Sequence, residues 1–318
     1  MSFQFTGKHI LKKGMQAPSL KEFIEHTYRE LQKPLSVPPY ATAGESERIA
    51  GVTERLSEQP FVGRTAFSET ARSFGALTPV NYSKYPLLYE ICFHAHRVLN
   101  SPVPVLFVYE PGNDKSLVYQ AMAVDYMQAF YLYISQNFLQ EPDMASPEEL
   151  CYLIGHELGH TQCHHTTLRL ITKSRGGSNA EYSADRAGLL VAASWLKEKH
   201  PDWTLAQVAD CAVKAGGTIL NKIDVAIAHM LKKSKMNWST YDTEGMHRKF
   251  QALFDNPSTL QPYEGTHPTD EHRVVAMHRF ACSEKFYRLM GEEPIHGLYS
   301  DALLEEVMKY HIKAEKEG

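Results

Sequence analysis

The segment His156-Glu157-Leu158-Gly159-His160 is the most informative stretch of this 318-residue chain. Two imidazoles four residues apart on a helix lie on one face, about 6 Å apart along the axis. Both rings can therefore reach one tetrahedral metal ion, at Zn–N distances of roughly 2.0–2.1 Å. Glu157 flanks the metal, where its carboxylate can take a proton from a water molecule. The motif predicts two ligands and a general base on one helix, which makes hydrolysis the leading hypothesis.

The residues around the motif decide between a metal site and a chance match. The chain has 16 histidines, so a solvated helix face that carries ordinary histidines is the alternative interpretation. Ser146-Pro147-Glu148-Glu149 predicts a helix start, with a cap, a proline in the first turn and early negative charge. An apolar stripe follows from Leu150 to Ile154. This order predicts a helix that starts at the solvent and carries the histidines into a buried place.

A hydrolytic zinc site needs a third protein ligand and one open position. We expect His164 on the same helix face as His160 but a further turn along, where it cannot close a tetrahedral site. We expect His165 to point off that face. The metzincin pattern requires glycine at position 163 and histidine at position 166, where this chain has Cys163 and Thr166. None of the nearby residues therefore completes the site.

Glu181 is the better candidate for the third ligand. Glu181 and Asp185 are four residues apart and so share one face of a second helix. The turn-forming segment Thr172–Ser178 can bring that helix back antiparallel to the first. We expect Glu181 to bind the metal and Asp185 to accept the free ring N–H of a ligand histidine, most plausibly His156. The alternative is a surface acid pair around Arg186.

Three motifs together resemble a known protein family. The first is His156–His160, and the second is Glu181-Tyr182-Ser183-Ala184-Asp185-Arg186-Ala187-Gly188. The third is Thr266–Val274, which contains His267-Pro268 and, five residues later, Arg273. In this order they resemble the HtpX and CAAX prenyl endopeptidases (peptidase family M forty-eight, gluzincins) over roughly residues 101 to 280.

The resemblance implies a zincin-like fold and zinc-dependent endopeptidase activity. It implies His156, His160 and Glu181 as ligands of one Zn²⁺ per chain, with Glu157 as the base. His267 belongs to the third motif and is the candidate for stabilising the oxyanion; a helix cap or a structural partner is the alternative role. The family often carries Asn-Ala-Phe-Ala on the strand beside the cleft, where this chain has Gln120-Ala121-Met122-Ala123. A peptide there would pair mainly through its backbone.

Composition and patterning limit the class of protein. The net charge of −4 argues against a nucleic-acid partner. No apolar run reaches the roughly 20 residues that span a bilayer, so we expect no integral membrane segment. The first residues lack the apolar core of a secretory signal, and five scattered cysteines fit reduced thiols in a cytoplasm. The sequence does not indicate an oligomeric state.

The fold class predicted from these patterns is α+β, mostly helical, with a small mixed sheet beside the active-site helix. Residues 1–100 form a predicted helical region that packs on the core and includes a helix at Ser19–Leu31. Residues 101–283 form the catalytic domain, and residues 284–318 form a C-terminal helical extension. Strand-like runs lie at Val103–Tyr109, Leu117–Val124 and Phe130–Ile134. We expect a later helix over Thr204–Lys233 to be interrupted at Gly216-Gly217.

Two functions of different classes remain open. The first is a zinc-dependent endopeptidase that acts on a peptide or protein substrate. The second is a zinc-containing peptide-binding or chaperone-like scaffold with little or no turnover. Glu157 favours the enzyme, because a purely structural metal site has no use for a base beside an open position. Peripheral association with membranes is a third possibility that rests on the family resemblance alone.

Overall fold

The computed structural model describes residues 37–56, 76–111, 118–126, 129–165, 177–232, 234, 236–260 and 268–311. The helix predicted at Ser19–Leu31 and the candidate residue His267 lie outside these ranges. Everything below concerns the described part of the chain.

The described chain is mostly helical with one small mixed sheet, as the α+β prediction requires. Two short 3-10 turns lie at Trp238–Thr240 and Pro257–Thr259. The helices in chain order are α1 (Ala43–Leu56), α2 (Pro86–Leu99), α3 (Asn137–Gln140), α4 (Pro147–Gln162), α5 (Gly177–Lys199), α6 (Leu205–Leu231), α7 (Thr243–Asp255), α8 (Asp270–Ala281), α9 (Glu284–Leu289) and α10 (Asp301–His311).

The sheet has four strands in the order β1-β2-β4-β3. They are β1 (Leu77–Pro79), β2 (Val105–Tyr109), β3 (Ala121–Tyr126) and β4 (Ala129–Ser135). Strand β4 runs parallel to β2 and antiparallel to β3, while β1 runs antiparallel to β2. The three predicted strands exist with shifted ends, and β1 adds a fourth from the region predicted to be helical. Strand β3 lies at the edge of the sheet and packs against α4.

Helix α4 begins as its sequence predicts. The Ser146 hydroxyl accepts the backbone N–H of Glu149 at 3.2 Å, and the Glu149 carboxylate accepts the backbone N–H of Ser146 at 2.8 Å. This reciprocal capping box satisfies two N–H groups that a helix start leaves unpaired. Pro147 occupies the first turn, where its missing N–H has no cost. The helix then runs through the hydrophobic core from Leu150 onward.

Helices α4 and α5 pack directly against each other along glycine-rich faces. A Cβ added at Gly155 would lie 2.8 Å from the Val191 side chain, and one at Gly159 would lie 2.8 Å from Ala187 Cβ. The partner residue number falls as the α4 residue number rises, so the two helices are antiparallel. The missing side chains let the two backbones approach closely. This contact holds the faces with His156, His160 and Glu181 towards each other.

Helix α6 corrects one expectation. It runs without interruption from Leu205 to Leu231, although Gly216 and Gly217 were predicted to break it. A Cβ at Gly216 would lie 2.7 Å from the Tyr152 ring, and one at Gly217 would lie 2.5 Å from the Phe250 ring. The glycines therefore make room for aromatic rings of α4 and α7. Close packing against a glycine is as good a reason for its presence as a turn.

Strand β1 connects the predicted N-terminal region to the sheet of the predicted catalytic domain. The division at residues 100 and 283 stays a prediction. Among the described residues, none of the helices combines the length and the apolar character needed to cross a lipid bilayer.

Candidate metal centre

Three donor atoms converge between α4 and α5. His156 Nε2 lies 3.0 Å from His160 Nε2 and 3.6 Å from Glu181 Oε2, and His160 Nε2 lies 3.8 Å from Glu181 Oε1. Two ligands of one tetrahedral zinc ion are separated by about 3.3 Å when each bond is about 2.05 Å long. The observed spacing of these atoms therefore fits one shared metal ion. They form the only group of this kind found among the described residues.

A buried acid orients the first imidazole. Asp185 lies one turn after Glu181 on α5 and places Oδ1 3.0 Å from His156 Nδ1. A hydrogen bond from Nδ1–H to this carboxylate leaves the lone pair of His156 on Nε2, facing the other donors. Burial alone would lower the pKa of His156, but the hydrogen bond and charge of Asp185 raise it above its ordinary value. The sequence placed Asp185 in this role, and its side chain is fully buried there.

Asp185 is itself held by two further side chains. Arg273 of α8 donates from Nε to Oδ2 at 3.0 Å and from Nη2 to Oδ1 at 2.5 Å, and the Tyr152 hydroxyl donates to Oδ1 at 2.6 Å. Burial alone would raise the pKa of Asp185, but the charge of Arg273 and the hydrogen bonds with His156 and Arg273 hold it well below its usual range. The carboxylate therefore stays ionised, as a buried charge with a full set of partners can.

The end of α4 corrects a second expectation. The helix ends at Gln162, and His164 adopts a left-handed backbone with φ of 57°. His164 is therefore not on the continuing helix face, where it was predicted. The reversal turns the next residue back, so that His165 Nδ1 lies 2.5 Å from His160 Nδ1. His165 was predicted to point away from the site, because the prediction extended the helix by one turn too many.

His165 connects the second imidazole to a distant acid. Its Nε2 lies 3.0 Å from Glu45 Oε1 of α1, a residue 120 positions earlier in the chain. Arg48 donates to the same carboxylate from Nε at 3.1 Å and from Nη2 at 2.5 Å. Burial alone would raise the pKa of Glu45, but the hydrogen bonds from His165 and Arg48 lower it below its ordinary value. Neither Glu45 nor the role of His165 was predicted.

The charges at the site favour a divalent cation. Three carboxylates meet here, those of Glu157, Glu181 and Asp185, while Arg273 supplies one positive charge to them. Two negative charges remain when both imidazoles are neutral and all three carboxylates are ionised. A buried excess charge is costly unless it is paired or bound to a metal. The donor set of two nitrogens and one oxygen, with this balance, fits a divalent metal ion.

Glu157 lies between the donors and the sheet edge. Its carboxylate accepts a hydrogen bond from the backbone N–H of Ala123 in β3. Burial raises the pKa of Glu157 to about 7, with a further upward contribution from Glu181 and opposing effects of His156 and Arg273. The edge strand that carries Ala121-Met122-Ala123, with Gln120 just before it, is thus next to the residue predicted as base.

Of the predicted site residues, the structure brings together His156, His160, Glu181, Asp185 and Glu157. His267 lies outside the described residues, so its role as an oxyanion donor stays a prediction.

The sequence indicated that Arg273 is important but did not predict its contact with Asp185. It ends the third motif, which made it conspicuous, but nothing in the spacing pairs it with Asp185, 88 positions earlier. Tyr152 sits one turn before His156 and could have been noticed as a polar group on the ligand face. Glu45 carries no such signal.

The chain matches no protein-family model, no curated protein and no solved structure. The family resemblance carried by the three motifs therefore stays a prediction. The chemistry of the site is the observation that bears on function.

Proposed function

We propose that this chain is a zinc-dependent endopeptidase with a zincin-like (gluzincin) fold. One observation carries the proposal. Two imidazole nitrogens and one carboxylate oxygen lie within 4.8 Å of one another, and Glu157 stands beside them under an edge strand. A purely structural zinc site is closed by four protein ligands, whereas three ligands and a neighbouring carboxylate are typical of hydrolytic sites.

Zinc is the metal that fits this donor set best. Two imidazoles and one carboxylate are the ligands of several hydrolytic zinc enzymes, whereas magnesium and calcium prefer oxygen ligands alone. When bound in such a site, zinc supplies Lewis-acid chemistry that polarises a carbonyl and lowers the pKa of a water molecule towards about 7. His156, His160 and Glu181 would hold it.

Glu157 would move the proton in this reaction. Its carboxylate takes a proton from the attacking water and delivers it to the nitrogen of the leaving amine, so that the water is split across the peptide bond. The hydrogen bond from Ala123 N–H keeps the side chain between the donors and β3.

An extended peptide is the substrate class that the sheet favours. Strand β3 is an edge strand, and it lies on the side of the sheet that faces α4. A peptide can add to such an edge through backbone hydrogen bonds, which places its scissile carbonyl by register rather than by side-chain identity. His267 is proposed as the donor that stabilises the oxyanion, on the strength of the motif alone.

Glu157→Gln tests the proposal, because it removes the proton acceptor but keeps the shape of the side chain. We expect zinc content by mass spectrometry to stay at one per chain, while cleavage of a denatured protein falls by about 10²–10⁴-fold. Glu148→Gln, on the same helix but away from the donors, is the matched control and should leave both unchanged. Cleavage by the Glu157→Gln variant at the wild-type rate would reject the assigned base.

The scaffold alternative predicts a different result for the wild-type chain. A scaffold binds the denatured protein without cutting it, and a chelator changes binding but produces no difference in fragments. Fragments that form only without chelator favour the endopeptidase.

A further inference from the structure

We propose that Glu45 and His165 are positioning residues for the metal ligand His160. The three side chains form one hydrogen-bonded chain that fixes the tautomer of His160 and turns its Nε2 lone pair towards His156 and Glu181. This inference rests on the metal site of the proposed function. It adds the residues that orient His160, as Asp185 orients His156.

The distances leave one consistent arrangement of protons. A metal on Nε2 leaves the neutral His160 ring with its proton on Nδ1, which must donate to His165 Nδ1 at 2.5 Å. His165 Nδ1 is then an acceptor, so its own proton is on Nε2. That proton points to Glu45 Oε1 at 3.0 Å, where an ionised carboxylate accepts it. Each donor in the chain therefore meets an acceptor.

The acid at the far end is fixed in place by its surroundings. Glu45 is fully buried, and Thr42 Oγ1 accepts its backbone N–H at 3.1 Å. The same threonine donates its own backbone N–H to Ser183 Oγ of α5 at 3.1 Å. The first turn of α1 is thus tied to the helix that carries Glu181. An acid held this firmly can orient an imidazole, whereas a mobile surface acid cannot.

A half-buried acid anchors the same turn of α1 without reaching a proposed ligand. Glu305 of α10 accepts the backbone N–H of Ala43 at 3.0 Å and pairs with Arg186 at 2.8 Å. Its loss should loosen the start of α1 while leaving the hydrogen bonds of His165 intact. Glu305→Gln is therefore a matched control for a purely structural role of Glu45.

The experiment compares zinc affinity in four proteins by competition with a zinc-binding dye. These are the wild type, Glu45→Gln, which keeps an acceptor but loses the charge, Glu45→Ala, which loses both, and Glu305→Gln. Loss of a partner behind a ligand histidine typically weakens metal binding by about 10–100-fold. We expect Glu45→Ala to weaken zinc binding at least tenfold and Glu45→Gln to fall between it and the wild type. Glu305→Gln should bind zinc within about twofold of the wild type while unfolding more easily.

Nitrogen-15 NMR of the histidine rings gives a second measurement. A purely structural role of Glu45 and His165 would not fix the tautomers that it detects. In the zinc-loaded wild type we expect His160 protonated at Nδ1 and His165 protonated at Nε2. This measurement does not depend on whether the alanine variant folds. The opposite tautomer of His165 in the wild type would overturn the relay, that is, the hydrogen-bonded chain from His160 through His165 to Glu45.

The outcomes separate this inference from the proposed function. A wild type that binds zinc, together with Glu45 variants that bind it equally well, rejects the relay and leaves the endopeptidase proposal intact. Equal weakening by Glu45→Gln and Glu305→Gln also rejects it, because Glu45 would then act only by holding α1. A wild type that binds no zinc rejects the metal site and the relay together.

Discussion

The two histidines proposed as metal ligands are supported in different ways. On the His156 side, Asp185 contacts the ligand ring directly and is paired with Arg273. On the His160 side, the acid Glu45 acts through the intervening ring of His165. The first arrangement is short and deeply buried, while the second is longer and nearer to solvent.

The difference in depth has an energetic consequence. The Arg48 side chain is 20% exposed, against 11% for Arg273, and the His160 side chain is 18% exposed, against 8% for His156. Ion pairs out of water cost much more to break than those that water can reach. The His156 side should therefore carry most of the stability, and the His160 side should mainly adjust the metal affinity.

The largest effect should come from removing the cation on each side. Arg273→Met leaves the buried Asp185 without its counter-charge, so we expect a loss of about 3–5 kcal/mol in the free energy of unfolding. Arg48→Met removes a partly exposed partner from a buried carboxylate that keeps His165, and should cost less than Arg273→Met. Denaturant unfolding in chelator measures both without interference from metal. Similar losses in the two variants would remove the contrast between the sides.

Substitutions at the contact between α4 and α5 should change the stability equally next to His156 and next to His160. Gly155 precedes His156 and Gly159 precedes His160, and an added Cβ would meet α5 at 2.8 Å in each case. Overpacking costs about 1–3 kcal/mol, partly offset by the roughly 1 kcal/mol that alanine gains over glycine in a helix. We expect Gly155→Ala and Gly159→Ala each to lose up to about 2 kcal/mol in thermal or denaturant unfolding. A variant that becomes more stable would show that the helices are not in close contact there.

A further prediction concerns Asp270, an acid near Arg273 that faces another acid. Burial and the neighbouring Asp224 raise the pKa of Asp270 to about 7, opposite in direction to the shift at Asp185. Between about pH 4 and pH 7 the folded state keeps a proton that the unfolded chain releases, so this group lowers stability as the pH rises. Above about pH 7 its contribution becomes constant.

Asp270→Asn should therefore gain stability relative to the wild type as the pH rises. We expect the difference in Tm, variant minus wild type, to be larger at pH 8 than at pH 5, in chelator. Parallel pH profiles of the two proteins would contradict the raised pKa.

Prediction from the sequence succeeded where spacing along one element decides the geometry. The cap at Ser146, the shared face of His156 and His160, and the face of Glu181 and Asp185 all follow from the helical period. The prediction that Asp185 contacts His156 needed one further assumption, an antiparallel return, and the glycines of α4 and α5 allow it at close range.

Prediction failed where the course of the chain changes or where distant segments meet. The early end of α4 moved His165, and the packing of aromatic rings, rather than a turn, explains Gly216 and Gly217. The helical period predicts which residues share a face, but it does not predict the residue at which a helix ends.

The sequence by itself determined the helical framework, the face shared by His156 and His160, and the face shared by Glu181 and Asp185, since each depends on residues a turn or two apart. Only the tertiary structure decided which distant charges complete the site. Arg273 reaches Asp185 across 88 positions and Glu45 reaches His165 across 120. Such pairs form because a buried charge is costly unless it is paired, and the partner can come from any part of the chain. No local sequence pattern indicates which residue that partner is.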